Sequence, residues 1–188
     1  VKLKDSVFLA FSDCATGTFS DHEYKRKNIV TDDETKFSLY PEFLSDKIFE
    51  EDQRCQIYYK YPISNPYRNK IAAFYSFFKF FRIYDYDGTM EKQVLVKIPP
   101  YSSDNVDDWQ KREIYYGPPF ATKDYIYVPC GAGEIQVWDW NGSPVIQYSL
   151  NKTFHTFTVS ESHKKIFMVS AREEDLDKIF TFELVHLP

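Results

Sequence analysis

The chain is poor in the features that mark most recognisable chemistries. It has three cysteines, Cys14, Cys55 and Cys130, and their spacing fits neither a zinc ribbon nor a redox pair. Free cysteines pack as small hydrophobes, so buried structural thiols are expected; an odd count leaves at least one unpaired in an exported protein. Basic charge is not in excess: 23 Lys and Arg face 28 Asp and Glu, a net charge of −5. Such a surface repels phosphate backbones and lacks the electrostatic footprint of a nucleic-acid binder. The one basic cluster, Lys25-Arg26-Lys27, is flanked by Asp21, Glu23 and Asp32 and reads as a solvated loop.

No run reaches the ~18 apolar residues of a membrane-spanning helix. The most apolar, IAAFYSFFKFF at 71–81, is shorter and carries Lys79. No signal-peptide pattern stands at the start. The chain opens on Val1, as expected of a processed or trimmed product, so the missing signal assigns no compartment.

Catalytic motifs are equally scarce. His22, His155, His163 and His186 stand at no metal-ligand spacing, and no GxSxG elbow occurs. CGAG at 130–133 is followed by neither Lys-Ser/Thr nor a helix and reads as a tight link between strands. Carboxylates cluster at 32–34, 50–52 and 173–177, in turn-like segments where charge keeps loops solvated. Paired carboxylates can cleave glycosidic bonds, but these stretches carry no sign of facing one another. No metal and no cofactor are expected. Asn151-Lys152-Thr153 is a glycosylation sequon, relevant only on a eukaryotic secretory route.

What is abundant is aromatic surface: 19% of residues, with 15 Tyr and 17 Phe. Aromatic and β-branched residues suit a pleated, half-buried surface and so favour strands. Strand-like runs bounded by turn residues are read at 6–12, 36–40, 55–61, 70–77, 80–86, 92–98, 113–117, 124–129, 134–140, 144–150, 154–160, 165–170 and 178–184. Helical periodicity is confined to a short turn around 42–52.

The runs recur as a unit of three strands, a reversal and a fourth, the plan of a propeller blade. The expected fold is all-β: a β-propeller, or part of one, of about three to four four-stranded antiparallel blades. It forms a single domain over 1–188, with an irregular stretch at 1–54 and blades near 55–98, 113–150 and 154–184. At ~45–50 residues per blade, a chain this long holds about four. It is then either a small closed ring or the C-terminal part of a larger one, since an open arc bares strand edges.

Two matched hexapeptides, IYDYDG at 83–88 and VWDWNG at 137–142, raise a choice between a turn and a metal loop. In a strand, Ile83 and Asp85 share one face and Tyr84 and Tyr86 the other; Val137 and Asp139 oppose Trp138 and Trp140 in the same way. The aromatic pairs are placed to pack between blades. Asp87-Gly88 and Asn141-Gly142 are favoured central pairs of a type I′ hairpin. Asp85, Asp87 and Glu91 could suggest a calcium loop, but the glycine comes too early and the second copy replaces a carboxylate with Asn141. The turn is preferred. The two glycines stand 54 residues apart, and the excess over an ordinary blade falls in an inserted loop at 99–112. There Tyr101 and Trp109, aromatics in a polar segment, are candidate partner contacts.

IQVWDWNGSPVIQYSL, then FTVSESHKKIFMVSA and IFTFEL, resemble the C-terminal blades of the TolB-like six-bladed propeller family. The resemblance rests on Trp138–Gly142, Tyr148–Leu150, Phe157–Val159 and Lys164–Phe167. It is good over 113–184 and extends back to about 55. It implies an exported bacterial protein of the periplasm or outer-membrane surface, often lipid-anchored, with no catalytic residues to transfer. It also implies further N-terminal blades absent from this chain. The functional expectation is a non-enzymatic binding module of the cell envelope with a protein or glycan partner. The rival is a carbohydrate-active hydrolase or lyase with acidic residues in a central funnel.

Overall fold

The computed structural model describes residues 2–4, 7–11, 20–45, 48–96, 112–131, 133–160, 164–175 and 178–184. Within them the chain folds into successive antiparallel meanders. The first sheet holds β1 (Lys2–Lys4), β2 (Val7–Phe11), β3 (His22–Asn28) and β4 (Glu34–Leu39) in sequence order. The second holds β5 (Lys60–Asn65), β6 (Lys70–Tyr75), β7 (Phe80–Asp85) and β8 (Met90–Leu95). The third holds β9 (Phe120–Ala121), β10 (Tyr125–Pro129), β11 (Glu134–Asp139) and β12 (Pro144–Ser149). The fourth pairs β13 (Phe154–Ser160), β14 (Lys165–Ser170) and β15 (Ile179–Glu183). Among the described residues no ladder joins one sheet to another, so what unites them is the packing of their faces.

That packing follows from the two-residue period of a strand. Ala72, Phe74, Phe81 and Ile83 point one way from the second sheet and meet Tyr116, Ile126, Val128, Trp138 and Trp140 of the third. Ile71, Ala73, Tyr84 and Tyr86 point the other way and meet Leu9 and Tyr24 of the first. The opposite face of the third sheet, Tyr127, Ile135 and Val137, covers Phe157, Val159, Ile166 and Met168 of the fourth. The aromatic pairs of both hexapeptides therefore lie between sheets, with Phe81 and Trp138 edge to face at 4.8 Å between ring centroids. A sheet covered on both sides should read as a near-continuous apolar run, as β6 and β7 do.

Several local expectations are corrected. Lys25-Arg26-Lys27 is not a loop but the middle of β3, paired residue for residue with β2 and β4. Residues 55–61 are not one strand: a helix, α1 (Glu51–Ile57), precedes β5. Glu50 caps α1 in a reciprocal box with Gln53, and Glu51 and Asp52 in its first turn suit the positive end of the dipole. The helical turn expected over 42–52 is instead a 3-10 turn at Glu42–Leu44, apart from α1. Strand 113–117 reduces to one bridge, Tyr116 to Cys130; Pro118 and Pro119 offer no N–H to extend the ladder.

The hexapeptide turns are near-identical. Gly88 N–H donates to the Asp85 carbonyl at 3.2 Å, and Gly142 N–H to that of Asp139 at 3.1 Å. Asp85 Oδ1 accepts the N–H groups of Asp87 and Thr89 at 2.9 and 2.8 Å, and Asp139 Oδ1 those of Asn141 and Ser143 at the same distances. Positive φ falls on Gly88 (92°) and Gly142 (79°) and not on Asp87 or Asn141. The turn is thus not type I′. It is a wider hairpin closed by glycine, with a bulge beside it in each sheet. A Cβ on Gly88 would lie 2.8 Å from the Phe37 ring of β4, and one on Gly142 would lie 3.0 Å from Lys92 and 3.1 Å from Val94 of β8. Each turn therefore seats on the last strand of the preceding sheet. Gly88→Val should cost about 1–3 kcal/mol through backbone strain alone, and more where Phe37 must move. Chemical denaturation checks this; parental stability would contradict the seating.

Candidate functional site

The first and second sheets meet around a buried ion cluster that sequence reading missed. Glu23 of β3 is 1% exposed. One carboxylate oxygen, Oε1, accepts from Lys60 Nζ at 2.6 Å and the Tyr75 hydroxyl at 2.7 Å. The other, Oε2, accepts from Arg82 Nη1 and Ser38 Oγ, both at 2.9 Å. Arg82 also donates to the Leu39 carbonyl at 2.7 Å and Gln93 Oε1 at 3.1 Å. Ser38 adopts φ of +60°, rare for a residue with a side chain, and its hydroxyl lies 2.8 Å from that of Tyr84. Two cations face one carboxylate; the excess charge is met by carbonyls and ring faces. Lys60 Nζ sits 4.9, 5.2 and 5.2 Å from the ring centroids of Tyr24, Tyr40 and Tyr75. Burial pulls the Lys60 ammonium below its ordinary pKa and pushes the Tyr24, Tyr75 and Tyr84 hydroxyls above theirs. With Glu23, Lys60, Tyr75 and Arg82 buried and bonded to one another, the cluster acts as a clamp between sheets rather than a reactive centre.

The open sites lie at the ends of the first strands. β9 touches both β5 and β13, so the leading strands of three successive sheets converge. At one end of this convergence a cleft of about 410 Å³ is lined by Ser64, Asn65, Tyr67, Phe120, Thr122, Lys123 and Val159 among others. Its two rims are latched: Asn65 Nδ2 and Arg68 Nε donate to the Lys123 carbonyl at 2.8 and 3.0 Å, and Arg68 Nη2 pairs with Asp124 at 2.6 Å. Asn65 Oδ1 accepts the Tyr67 N–H at 3.0 Å and so orders the turn that presents Tyr67, 76% exposed. A second cleft, about 460 Å³, opens at the other end of β9 and β13, with Tyr115, Pro129, Phe154 and His155 in its wall.

The candidate contacts Tyr101 and Trp109 lie outside the described residues. Asp87, Gly88, Asn141 and Gly142 sit in the sheet-seating turns, and the aspartates at 85 and 139 spend their carboxylates on backbone N–H groups. Among the described residues no group of three His, Cys, Asp or Glu is placed to hold a metal. The carboxylate clusters work apart: Asp32 pairs with Lys27 at 2.8 Å, Glu50 caps α1, and Asp175 bridges Lys152 and Lys178 at 3.0 and 2.8 Å. The expected set of buried thiols is corrected at Cys55, which is disulfide-bonded. Cys130 keeps a free thiol that burial pushes up to about 11.

Glu23→Gln should destabilise the protein by about 3–5 kcal/mol, because Arg82 keeps its charge in a dry site without an anion and Lys60, its pKa already lowered by burial, loses the group that holds its proton. Adding Lys60→Met should recover part of that loss in denaturant titrations. Alkali provides a second check. Tyr24, Tyr58, Tyr75 and Tyr84 have raised folded pKa values, so their contribution is intact below the unfolded value of about 10 and is lost as pH climbs toward the folded one. Each such group contributes a slope of about 1.4 kcal/mol per pH unit above the unfolded value. The depressed Lys60 acts in a different window, below its unfolded value of about 10.4, where stability rises with pH, and leaves the alkaline slope unchanged. The melting temperature should not fall until the pH nears about 10 and should then drop steeply, with the tyrosinate band of these rings appearing only on unfolding.

No family model matches the chain, and no curated protein matches it. Solved structures do. Virginiamycin B lyase from Staphylococcus aureus is 10% identical at a TM-score of 0.50, over 95% of this chain and 55% of that one. A member of the DUF4221 family from Bacteroides vulgatus is 10% identical at a TM-score of 0.55, over 95% and 60%. BamB from Moraxella catarrhalis is 11% identical at 0.48, over 98% and 44%. The chain thus spans between 44% and 60% of the length of these structures. At such identity the first two likenesses are of fold: the chain is an all-β, propeller-like array of sheets.

Proposed function

We propose that the chain is a non-enzymatic recognition module of the bacterial cell envelope, binding a glycan or protein surface at the cleft between Asn65 and Lys123. The observation that carries this reading is the latched pair of loops from neighbouring sheets, holding an exposed tyrosine over a polar, aromatic-floored cleft. A tyrosine ring, with only two side-chain torsions to fix, supplies contact area at little entropic cost, and Ser64, Thr122 and Lys123 add hydrogen-bonding groups beside it. That combination suits a glycan best: ring face against sugar C–H groups, hydroxyl and ammonium against sugar oxygens. The rival hydrolase or lyase would draw on converging acids, whereas the described lining of the two clefts offers an imidazole, His155, and no carboxylate.

In this reading the sheets belong to a six-bladed TolB-like ring, completed by further blades that precede Val1. Its support is the partial span of the structures matched. Residues 1–188 then form one propeller domain or the C-terminal part of one. Export to the periplasm or outer-membrane surface is supported by the disulfide at Cys55, since such bonds persist in oxidising compartments. A lipid anchor and the contacts of Tyr101 and Trp109 belong to the same proposal. Binding to an array of envelope glycans tests it. Tyr67→Ala should weaken the strongest interaction at least about tenfold, as loss of a stacking contact does, without lowering the melting temperature. Unchanged binding by the variant, or turnover of the glycan, would overturn the reading.

A further inference from the structure

A second site, independent of the cleft at Asn65, is marked by two buried polar groups with no hydrogen-bond partner among the described residues. Arg112 is 5% exposed, and none of its three guanidinium nitrogens meets an acceptor among the described residues. Tyr58 is 1% exposed, and its hydroxyl is likewise unmet. The two share one pair of rings. The guanidinium carbon lies 5.5 Å from the centroid of Phe78 and 6.0 Å from that of Phe49. The Tyr58 ring stacks on Phe78 at 5.6 Å and meets Phe49 edge-on at 5.9 Å. The guanidinium also acts electrostatically on the Tyr58 hydroxyl, which burial pushes up to about 12.

Three acids of the described residues around these rings, Glu42, Glu50 and Glu23, are already committed. Glu42 pairs with Arg54 at 3.2 Å, Glu50 caps α1, and Glu23 is enclosed by Lys60, Arg82, Tyr75 and Ser38. Folded proteins rarely strand buried donors, and a buried cation without a counter-charge is the costliest case. Here the stranded groups are all donors: five guanidinium N–H bonds and one phenolic O–H. What they lack is an acceptor-only group carrying one negative charge. A carboxylate matches the guanidinium fork with two parallel bonds. A phosphate dianion would leave one charge unmet among Phe49 and Phe78.

We propose that Arg112 and Tyr58 form a binding site for a small monocarboxylate, its two oxygens on the guanidinium and the phenol, walled by Phe49 and Phe78.

Thermal melting and calorimetry of the whole chain against acetate and benzoate test this, with phosphate and chloride at matched ionic strength as controls. The carboxylates should raise the melting temperature in a saturable manner, and the controls should not. Arg112→Met should abolish the response, and without carboxylate it should melt no lower than the parent, having lost a stranded charge. Tyr58→Phe keeps the ring and should weaken carboxylate binding about tenfold, the loss of one hydrogen bond. It also serves if Arg112→Met fails to fold. An equal response to all salts, no response at all, or an unaltered response in Tyr58→Phe together with any folded Arg112→Met would overturn the proposal.

Discussion

The structure depends on one constraint: a strand sends alternate side chains to opposite faces, and in this chain both faces must be covered. The second sheet shows the consequence most clearly. Ala72 and Phe74 belong to its junction with the third sheet, while Ile71 and Ala73, interleaved with them on β6, belong to its junction with the first. Because no described ladder crosses between sheets, the junctions rely on dispersion, apolar burial and ring geometry. Between the apolar faces shape sets the fit, beside the side-chain bonds of the Glu23 cluster and the Asn65–Lys123 latch. Alanines at 72 and 73 leave room for the rings of Phe74, Phe81 and Trp138 on one side and Tyr24 and Tyr84 on the other.

The two junctions of the second sheet differ in kind. Toward the third sheet the contact is dry and aromatic. Toward the first it encloses the Glu23 clamp, where Ser38 is held at positive φ between a carboxylate, a guanidinium and a phenol. A charged clamp is weak evidence for net stability, but it penalises every misaligned packing of the two sheets. A rigid stack also explains how loops from different sheets can form one surface. The Asn65–Lys123 latch spans two sheets and would have no fixed geometry if they slid past one another. The proposed binding surface and the fold are thus joined through the same junctions.

The sequence made the architecture legible where periodicity was clean. The strands near 134–140, 154–160 and 165–170 lie where expected, because apolar and polar residues alternate there and turns bound them. It misled where a single apolar residue had to stand for a whole strand: HEYKRKN at 22–28 buries little besides Glu23 and Tyr24 and resembles a solvated loop. In QIYY at 56–59 the aromatics imitate a strand, and only the capping box at Glu50 betrays the helix. The clamp left a faint trace, one charge inside an aromatic run, as at Lys60 in YYKYP and Arg82 in FFRIY. Glu23, their counter-ion, lies 37 residues from Lys60 along the chain, a separation no local pattern reports. The hexapeptide aspartates were recognisable as turn residues, but the shared roles of Asp85 and Asp139 as backbone caps required coordinates.

The central claim is that these sheets are held face to face by interdigitated rings. Phe81 on β7 and Trp138 on β11 offer the most direct test, since they touch across a junction and share no ladder. A double-mutant cycle with Phe81→Leu and Trp138→Leu, read from denaturant unfolding, measures their coupling free of the cost of each truncation. Stacked sheets predict a favourable coupling of about 0.5–1.5 kcal/mol. Strict additivity of the two substitutions in well-folded variants would contradict the account.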